Sequence, residues 1–249
     1  MSDLGGKQQF HLVGDIFEIY FNEHVIKSKG VSNMPNVEDD FLLTICQLLN
    51  QYGEAEKKVA ILEKVVKQCV SQEFQEHNEQ ICLMIGRIYL DQQYCSKAYS
   101  YLLRGNDIPG CITALKQVMK SGYHGEQDLF VFRLCCEILI RNYRKKSVAI
   151  DGVRAVLAAF YDNERVFNAP LVNMMKVLVE CLRLDGELEE DAIMKELIGI
   201  YKPQLMRDPA FLEYLDRITR YYFDFEIKQA NPMQQMLANM MGGGSNNQQ

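Results

Sequence analysis

The chain has 249 residues, of which 48% are apolar and 24% charged, proportions of an ordinary folded protein with room for one elongated helical domain or two compact ones. Its formal net charge of -6 argues against a general nucleic-acid surface, which needs excess cations to displace counterions from phosphates. No apolar run approaches the roughly 20 residues that span a bilayer, and Met1–Gln9 has no apolar core of a secretory signal. The expected compartment is the reducing cytosol.

Taken in chain order, the apolar residues follow a helical period. Helices are expected at about Phe10–Ile26, Val37–Tyr52 and Ala55–Ser71, with Lys27–Asn36 as a polar linker holding Gly30 and Pro35. In the next, Glu79–Leu90, the residues Ile81, Met84, Ile85, Ile88 and Tyr89 recur at i, i+3, i+4, i+7 and i+8 and share one face. Tyr94–Leu103 and Ile108–Ser121 follow. Gly86 and Tyr89, then Ala98 and Leu102, match in part the spacing of a tetratricopeptide-type helix pair, where small residues let two helices approach and large ones fill the space beside them. No strict repeat period runs along the chain.

Gln127–Tyr143 leaves almost no polar face and is expected as the buried central helix of the C-terminal half. Helices at about Ser147–Tyr161, Ala169–Asp185, Leu188–Tyr201 and Pro209–Phe223 complete the series. Asn168 and Asp208 precede the prolines Pro170 and Pro209 as helix-starting signals. Gly53, Gly122 and Gly186 are expected to close helices in the left-handed conformation. Short turns between successive helices favour antiparallel hairpins. The fold expected is all-α, an irregular α-solenoid whose hairpins pack on their neighbours. One such domain is expected over 1–230, with halves at about 10–121 and 122–226, followed by a tail at 231–249. In that tail Met233, Met236, Leu237, Met240 and Met241 make a one-sided stripe after Asn231-Pro232. So short a helix is unstable alone in water, so the stripe is expected to dock into a groove of this protein or a partner, or to stay unfolded. Gly242–Gln249 is expected to be disordered.

Chemistry-bearing motifs are missing. His11, His24, His77 and His124 are scattered, and no Cys-x-x-Cys or His-x-x-x-His spacing exists to hold zinc. The eight cysteines fall mostly inside helical patterns and read as small buried hydrophobes. Neither a nucleophile elbow nor a phosphate-binding glycine loop occurs. The acidic groups Glu38-Asp39-Asp40 and Glu187-Glu189-Glu190-Asp191 open helices, where negative charge suits the dipole. Arg141, Arg144, Lys145 and Lys146 are the densest basic patch; the same dipole argument places them at a helix C-terminus, and docking an acidic partner is the functional alternative. The expectation is a protein-binding scaffold with no catalytic site and no cofactor.

From Leu83 onward four stretches follow in order: Gln93-Tyr94-Cys95-Ser96, Asp107-Ile108-Pro109-Gly110-Cys111, Gly122-Tyr123-x-x-Glu126-x-Asp128-Leu129-Phe130-Val131, and Tyr201-Lys202-Pro203-Gln204-Leu205-Met206-Arg207-Asp208-Pro209. The last is the most specific, continued by Glu213–Ile218, the pair Tyr222-Phe223 and a short apolar tail. In these stretches and their spacing the chain resembles the Golgi-to-ER traffic protein 4 family. The resemblance implies a solenoid of tetratricopeptide-like hairpins that serves as the non-catalytic cytosolic scaffold of tail-anchored membrane-protein targeting to the endoplasmic reticulum. It implies a ubiquitin-like adaptor or BAG-type chaperone partner on the C-terminal half and the targeting ATPase on the N-terminal half. Two departures put the ATPase in question: family members carry further helices before the point matching Phe10, and an acidic residue stands where this chain has His11. The sequence is therefore expected to be truncated or shortened at its start. The partner surface is expected as an apolar patch on the last helices, with Phe167, Met174, Val177, Tyr201, Tyr221 and Phe223 as candidates, each of which taken alone reads as core before interface. The alternative function is a helical-repeat subunit of another cytosolic assembly, proteasome-lid-like or trafficking.

Overall fold

The computed structural model describes residues 55–68, 75–184, 190–223 and 226–227. Among them every regular element is helical. The expected helices before Ala55, the tail stripe Met233–Met241, and Gly53 and Gly186 lie outside the described residues. The chain forms two compact units, Met1–Gly125 and Glu126–Gln249.

The N-terminal unit contains α1 (Ala55–Gln68), α2 (Gln75–Asp91), α3 (Cys95–Arg104) and α4 (Ile108–Ser121). Its core takes one stripe from each: Val59 and Leu62 of α1, Ile81, Cys82 and Ile85 of α2, Ala98 and Leu102 of α3, and Cys111, Ala114, Leu115 and Met119 of α4. The closest approach is between α2 and α3. A Cβ added to Gly86 would lie 2.7 Å from Leu102 Cγ and 2.9 Å from the Leu102 backbone nitrogen. Gly86 and the fully buried Ala98 therefore do what their size suggests, bringing two backbones together with Leu102 wedged between them.

The α2–α3 and α3–α4 turns close by the same device. The Tyr94 amide donates to Tyr89 O and the Gln93 amide to Leu90 O; one helix later Asp107 donates to Leu102 O and Asn106 to Leu103 O. These are the paired six-to-one and five-to-two bonds of a helix end that turns through a left-handed residue. That residue is Gln93 (φ 63°) in the first turn and Asn106 (φ 55°) in the second. Gly122, expected in this role, follows α4 with φ -90° and ψ 174°, an extended exit that leads into a 3-10 turn at His124–Glu126. The Asp107 carboxylate then caps α4, accepting from the Gly110 amide at 3.0 Å, with Pro109 in the first turn where no amide is needed.

The C-terminal unit contains α5 (Gln127–Arg141), α6 (Lys146–Ala159), the single turn α7 (Glu164–Phe167), α8 (Pro170–Leu184), α9 (Glu190–Leu205) and α10 (Ala210–Tyr222). The α5 helix is its centre. Val131, Phe132, Leu134, Cys135, Cys136, Ile138 and Leu139 are all fully buried, and α6, α8 and α10 pack around it. Phe132 meets Phe211 of α10 edge to face, centroids 4.9 Å apart.

Helix starts and stops differ in detail from expectation. Asp208 does serve the start of α10, its carboxylate accepting from the Ala210 amide at 3.0 Å. Asn168 instead closes α7, its amide donating to Glu164 O. The α9 helix continues past Tyr201 and through Pro203 to Leu205. Proline there removes only the bond to the Gly199 carbonyl, and the fully buried Leu205 anchors the last turn.

Candidate partner-binding surface

The position of α10 on α5 is set by polar residues. Of the charged residues of α5, Asp128, Arg133 and Glu137 each have a partner on α10 or just before it. Arg207 clasps Asp128 with both terminal nitrogens, at 2.6 and 3.1 Å. Arg133 pairs with the neighbouring Asp208. Glu137 accepts from the Tyr214 hydroxyl at 3.2 Å, and the Tyr222 hydroxyl donates to Leu139 O at 2.9 Å. The contacts climb both helices in the same order, so α5 and α10 run side by side in the same direction. Asp128 is 7% exposed, and its bidentate partner makes that burial tolerable. Burial raises the Tyr222 phenol to about 12. Burial first, and then the Glu137 charge, raises Tyr214.

The two family-resembling stretches around Asp128 and around Arg207-Asp208 are thus one piece of structure, joined by crossed ion pairs between residues 79 and 75 positions apart. No local pattern in the sequence connects them.

The six sequence candidates separate into three groups, two buried, two half-buried and two exposed. Met174 is fully buried, and Phe223 is 4% exposed; both fill the core of this unit. Phe167 is half-buried, with Tyr161 edge-on at 5.0 Å and the Lys176 ammonium over its ring. Lys176 also donates to Phe167 O and Asn173 Oδ1, and burial lowers its pKa. Tyr201 is half-buried. Val177 and Tyr221 stand out, 42% and 40% exposed, and Ile200 and Met206 of the α9 region, not among the candidates, are more exposed still at 64% and 54%. The candidates therefore do not form one patch.

Tyr221 has a neighbour the sequence reading passed over. Its ring stacks on Tyr143 with centroids 4.3 Å apart and planes 17° apart. The Arg144 guanidinium lies 5.4 Å from the Tyr143 centroid, and its Nε donates to the Tyr143 hydroxyl at 2.8 Å. The basic patch is also placed differently from expectation. Arg141 closes α5, where a cation suits the dipole, but Lys145 is the N-cap of α6 and Lys146 its first residue. Cations there face the positive end of a helix. The dipole that explains Arg141 opposes Lys145 and Lys146.

Cys135 and Cys136 are fully buried, and burial pushes both thiols up, the opposite of nucleophile activation. Among the described residues no group of three or more His, Cys, Asp and Glu is placed to hold a metal ion, and no helix is long and apolar enough to cross a membrane.

Comparison with known proteins agrees with the residues that carry the resemblance. The family model for Golgi to ER traffic protein 4 matches residues 8–243. The chain is 25% identical to the Golgi to ER traffic protein 4 homolog of Takifugu rubripes over 217 residues, 86% of this chain and 64% of that protein. It is 30% identical to the Homo sapiens homolog over 161 residues, 64% of this chain and 47% of that one. With the Bos taurus homolog it shares 27% over 170 residues, 67% and 51%. The chain thus spans about half to two thirds of the length of these relatives. With a match across almost its whole length, the chain belongs to the Golgi to ER traffic protein 4 family.

Proposed function

We propose that this chain is a non-catalytic scaffold in Golgi-to-ER traffic, and more narrowly in the cytosolic pathway that delivers tail-anchored membrane proteins to the endoplasmic reticulum. The reading is carried by the family match over residues 8–243. On a frame of tetratricopeptide-like hairpins, the C-terminal unit holds a ubiquitin-like or BAG-type partner and the N-terminal part holds the targeting ATPase. The mechanism is spatial: two partners on one frame raise each other's effective concentration without a new covalent step. Exposed apolar side chains with buried supports suit anchors for a partner. Val177, Tyr221, Ile200 and Met206 are the best placed, because each presents an apolar side chain to solvent.

The test is affinity capture of the full chain from its native cytosol, with mass spectrometry of the bound proteins. Recovery of a ubiquitin-like or BAG-type protein together with the targeting ATPase is the expected result. Recovery of subunits of an unrelated assembly, and neither of these, overturns it. For the captured partner, alanine at a true anchor is expected to cost about 2 kcal/mol of binding, with the melting temperature of the chain unchanged.

A further inference from the structure

The surface around Tyr143 and Tyr221 combines three features. It has an aromatic step, the stacked pair Tyr143–Tyr221, with Tyr221 exposed. The step is held rigidly: the Tyr222 hydroxyl fixes the end of α10 to Leu139 O, and Asn142 Nδ2 ties the end of α5 to Ile138 O. It also has a cationic rim. Residues 138–150 contain Arg141, Arg144, Lys145 and Lys146 and no carboxylate, in a chain whose net charge is -6. Arg144 and Lys145 are exposed.

Stability alone does not account for Lys145 in this rim. Lys145 is the N-cap of α6 without a side-chain capping bond, and no acidic residue follows in the first turn. Ser, Thr, Asp or Asn at an N-cap gains roughly 1 kcal/mol over residues that cannot cap, and cations beside free helix amides are repelled by the dipole. Places where local rules are broken without structural compensation are where function is expected. Exposed cations beside an aromatic platform fit an acidic segment that carries an aromatic or large apolar side chain. The carboxylates meet Arg144 and Lys145, and the apolar group packs on Tyr221.

We propose that the α5–α6 turn and the end of α10 form a docking surface for an acidic peptide segment of a partner protein, anchored by an aromatic side chain on Tyr221. The surface is argued independently of the scaffold reading and of which protein the scaffold holds. Nucleic acid is the less suited polyanion, because the chain as a whole is acidic and would repel an extended phosphate backbone.

The test uses the purified full chain and a fluorescent peptide of glutamates around a central phenylalanine, followed by anisotropy. The expected result is saturable binding that weakens with salt, as exposed charges are screened over about 10 Å at ~0.1 M. The double reversal Arg144→Glu/Lys145→Glu is expected to weaken it about tenfold or more. Tyr221→Ala, or alanine at the peptide phenylalanine, is expected to weaken it severalfold. Lys145→Glu places a carboxylate at the N-cap of α6, so the melting temperature of the reversed variant holds or rises and lost binding is not lost folding. Lys145→Glu alone is matched against Lys202→Glu on α9, since the two change the net charge equally. The proposal is overturned if the glutamine version of the peptide binds as well, if Lys202→Glu weakens binding as much as Lys145→Glu, or if oligothymidine binds at least as tightly as the peptide.

Discussion

The two units solve one problem, holding amphipathic helices in register, in opposite ways. In the N-terminal unit the defining contacts are between neighbours in the chain: Gly86 against Leu102 across one turn, with α2 and α3 closed by the same left-handed device. Among the described residues its longer-range polar ties include Glu63, which accepts from Tyr89 at 3.0 Å and Tyr101 at 2.8 Å while those two rings stack, and the Arg87–Asp107 ion pair across the α2–α3 hairpin. In the C-terminal unit the defining contacts join residues 75 to 83 apart, in a ladder of ion pairs and tyrosine bonds from α5 to α10. The first unit is held by steric fit between adjacent helices, the second by polar pairing between distant ones. Changes of shape are expected to hurt the first and changes of charge the second.

The largest effect is expected at the Asp128–Arg207 clasp. Arg207→Ala leaves a carboxylate that is 7% exposed without its bidentate partner, at a cost of about 2–3 kcal/mol, discounted from fully buried pairs because Arg207 itself reaches solvent. Asp128→Ala leaves an arginine free to turn outward and is expected to cost less. Denaturant midpoints of the two single variants and the double variant read this asymmetry. Equal costs for the two single changes would mean that the pair behaves as a surface bridge and that the ladder is not what fixes α10.

Next is Gly86→Ala in the other unit. An alanine ordinarily stabilises a helix interior relative to glycine. Here its Cβ meets Leu102 side chain and backbone below 3.0 Å, so the helices must part, with a net loss of about 2 kcal/mol. Pairing it with Leu102→Ala is expected to recover little, because the Leu102 backbone nitrogen is itself in the way. A stabilised Gly86→Ala variant would remove close approach as the reason for this glycine.

That contrast also explains what was legible in the sequence. Gly86, Tyr89, Ala98 and Leu102 lie within one hairpin, so spacing alone indicated their meeting, and the all-apolar stretch of α5 announced its own burial. Asp208 was readable as a helix start because capping is local. The ladder was not readable, because nothing within a turn of Asp128 points to Arg207. The surface candidates suffered likewise: Met174 and Phe223 have the same composition signal as Val177 and Tyr221, and only packing separates buried from exposed. The basic patch was recognised but assigned to one helix end, since the break was expected between Tyr143 and Ser147, whereas α5 ends at Arg141 and α6 already begins at Lys146.

A smaller, pH-dependent effect sharpens the comparison. Burial raises the Tyr222 phenol from 10.0 to about 12. Because the folded-state value is the higher one, its contribution is fully present below pH 10 and is lost as pH climbs from about 10 to about 12. Tyr222→Phe is expected to cost about 1 kcal/mol near neutrality, from the lost bond to Leu139 O, and to flatten the alkaline fall in protection of α5 and α10 amides. Tyr101 and Tyr89, raised by burial and by the Glu63 carboxylate, impose an alkaline fall of the same sign on the N-terminal unit. Hydrogen exchange resolved by helix distinguishes the two, since Tyr222→Phe leaves α2 and α3 unchanged.

The smallest expected effect is a gain. Gln93 holds φ at 63°, a conformation that costs a residue with a Cβ roughly 1 kcal/mol and glycine almost nothing. Its amide bond to Leu90 O and the Tyr94 bond to Tyr89 O are made by the backbone alone, so Gln93→Gly keeps both. Glycine also widens the unfolded ensemble, which offsets part of the gain. The net expectation is a stabilisation of about 0.5 kcal/mol, below the strain relieved. The same change at Asn106 is expected to gain less, since asparagine tolerates the left-handed region better than glutamine. A ranking in which Asn106→Gly gains more than Gln93→Gly would show that strain at these turns is not set by the side chain. It would place the rigidity of the N-terminal unit in the Gly86–Leu102 contact rather than in its closing turns.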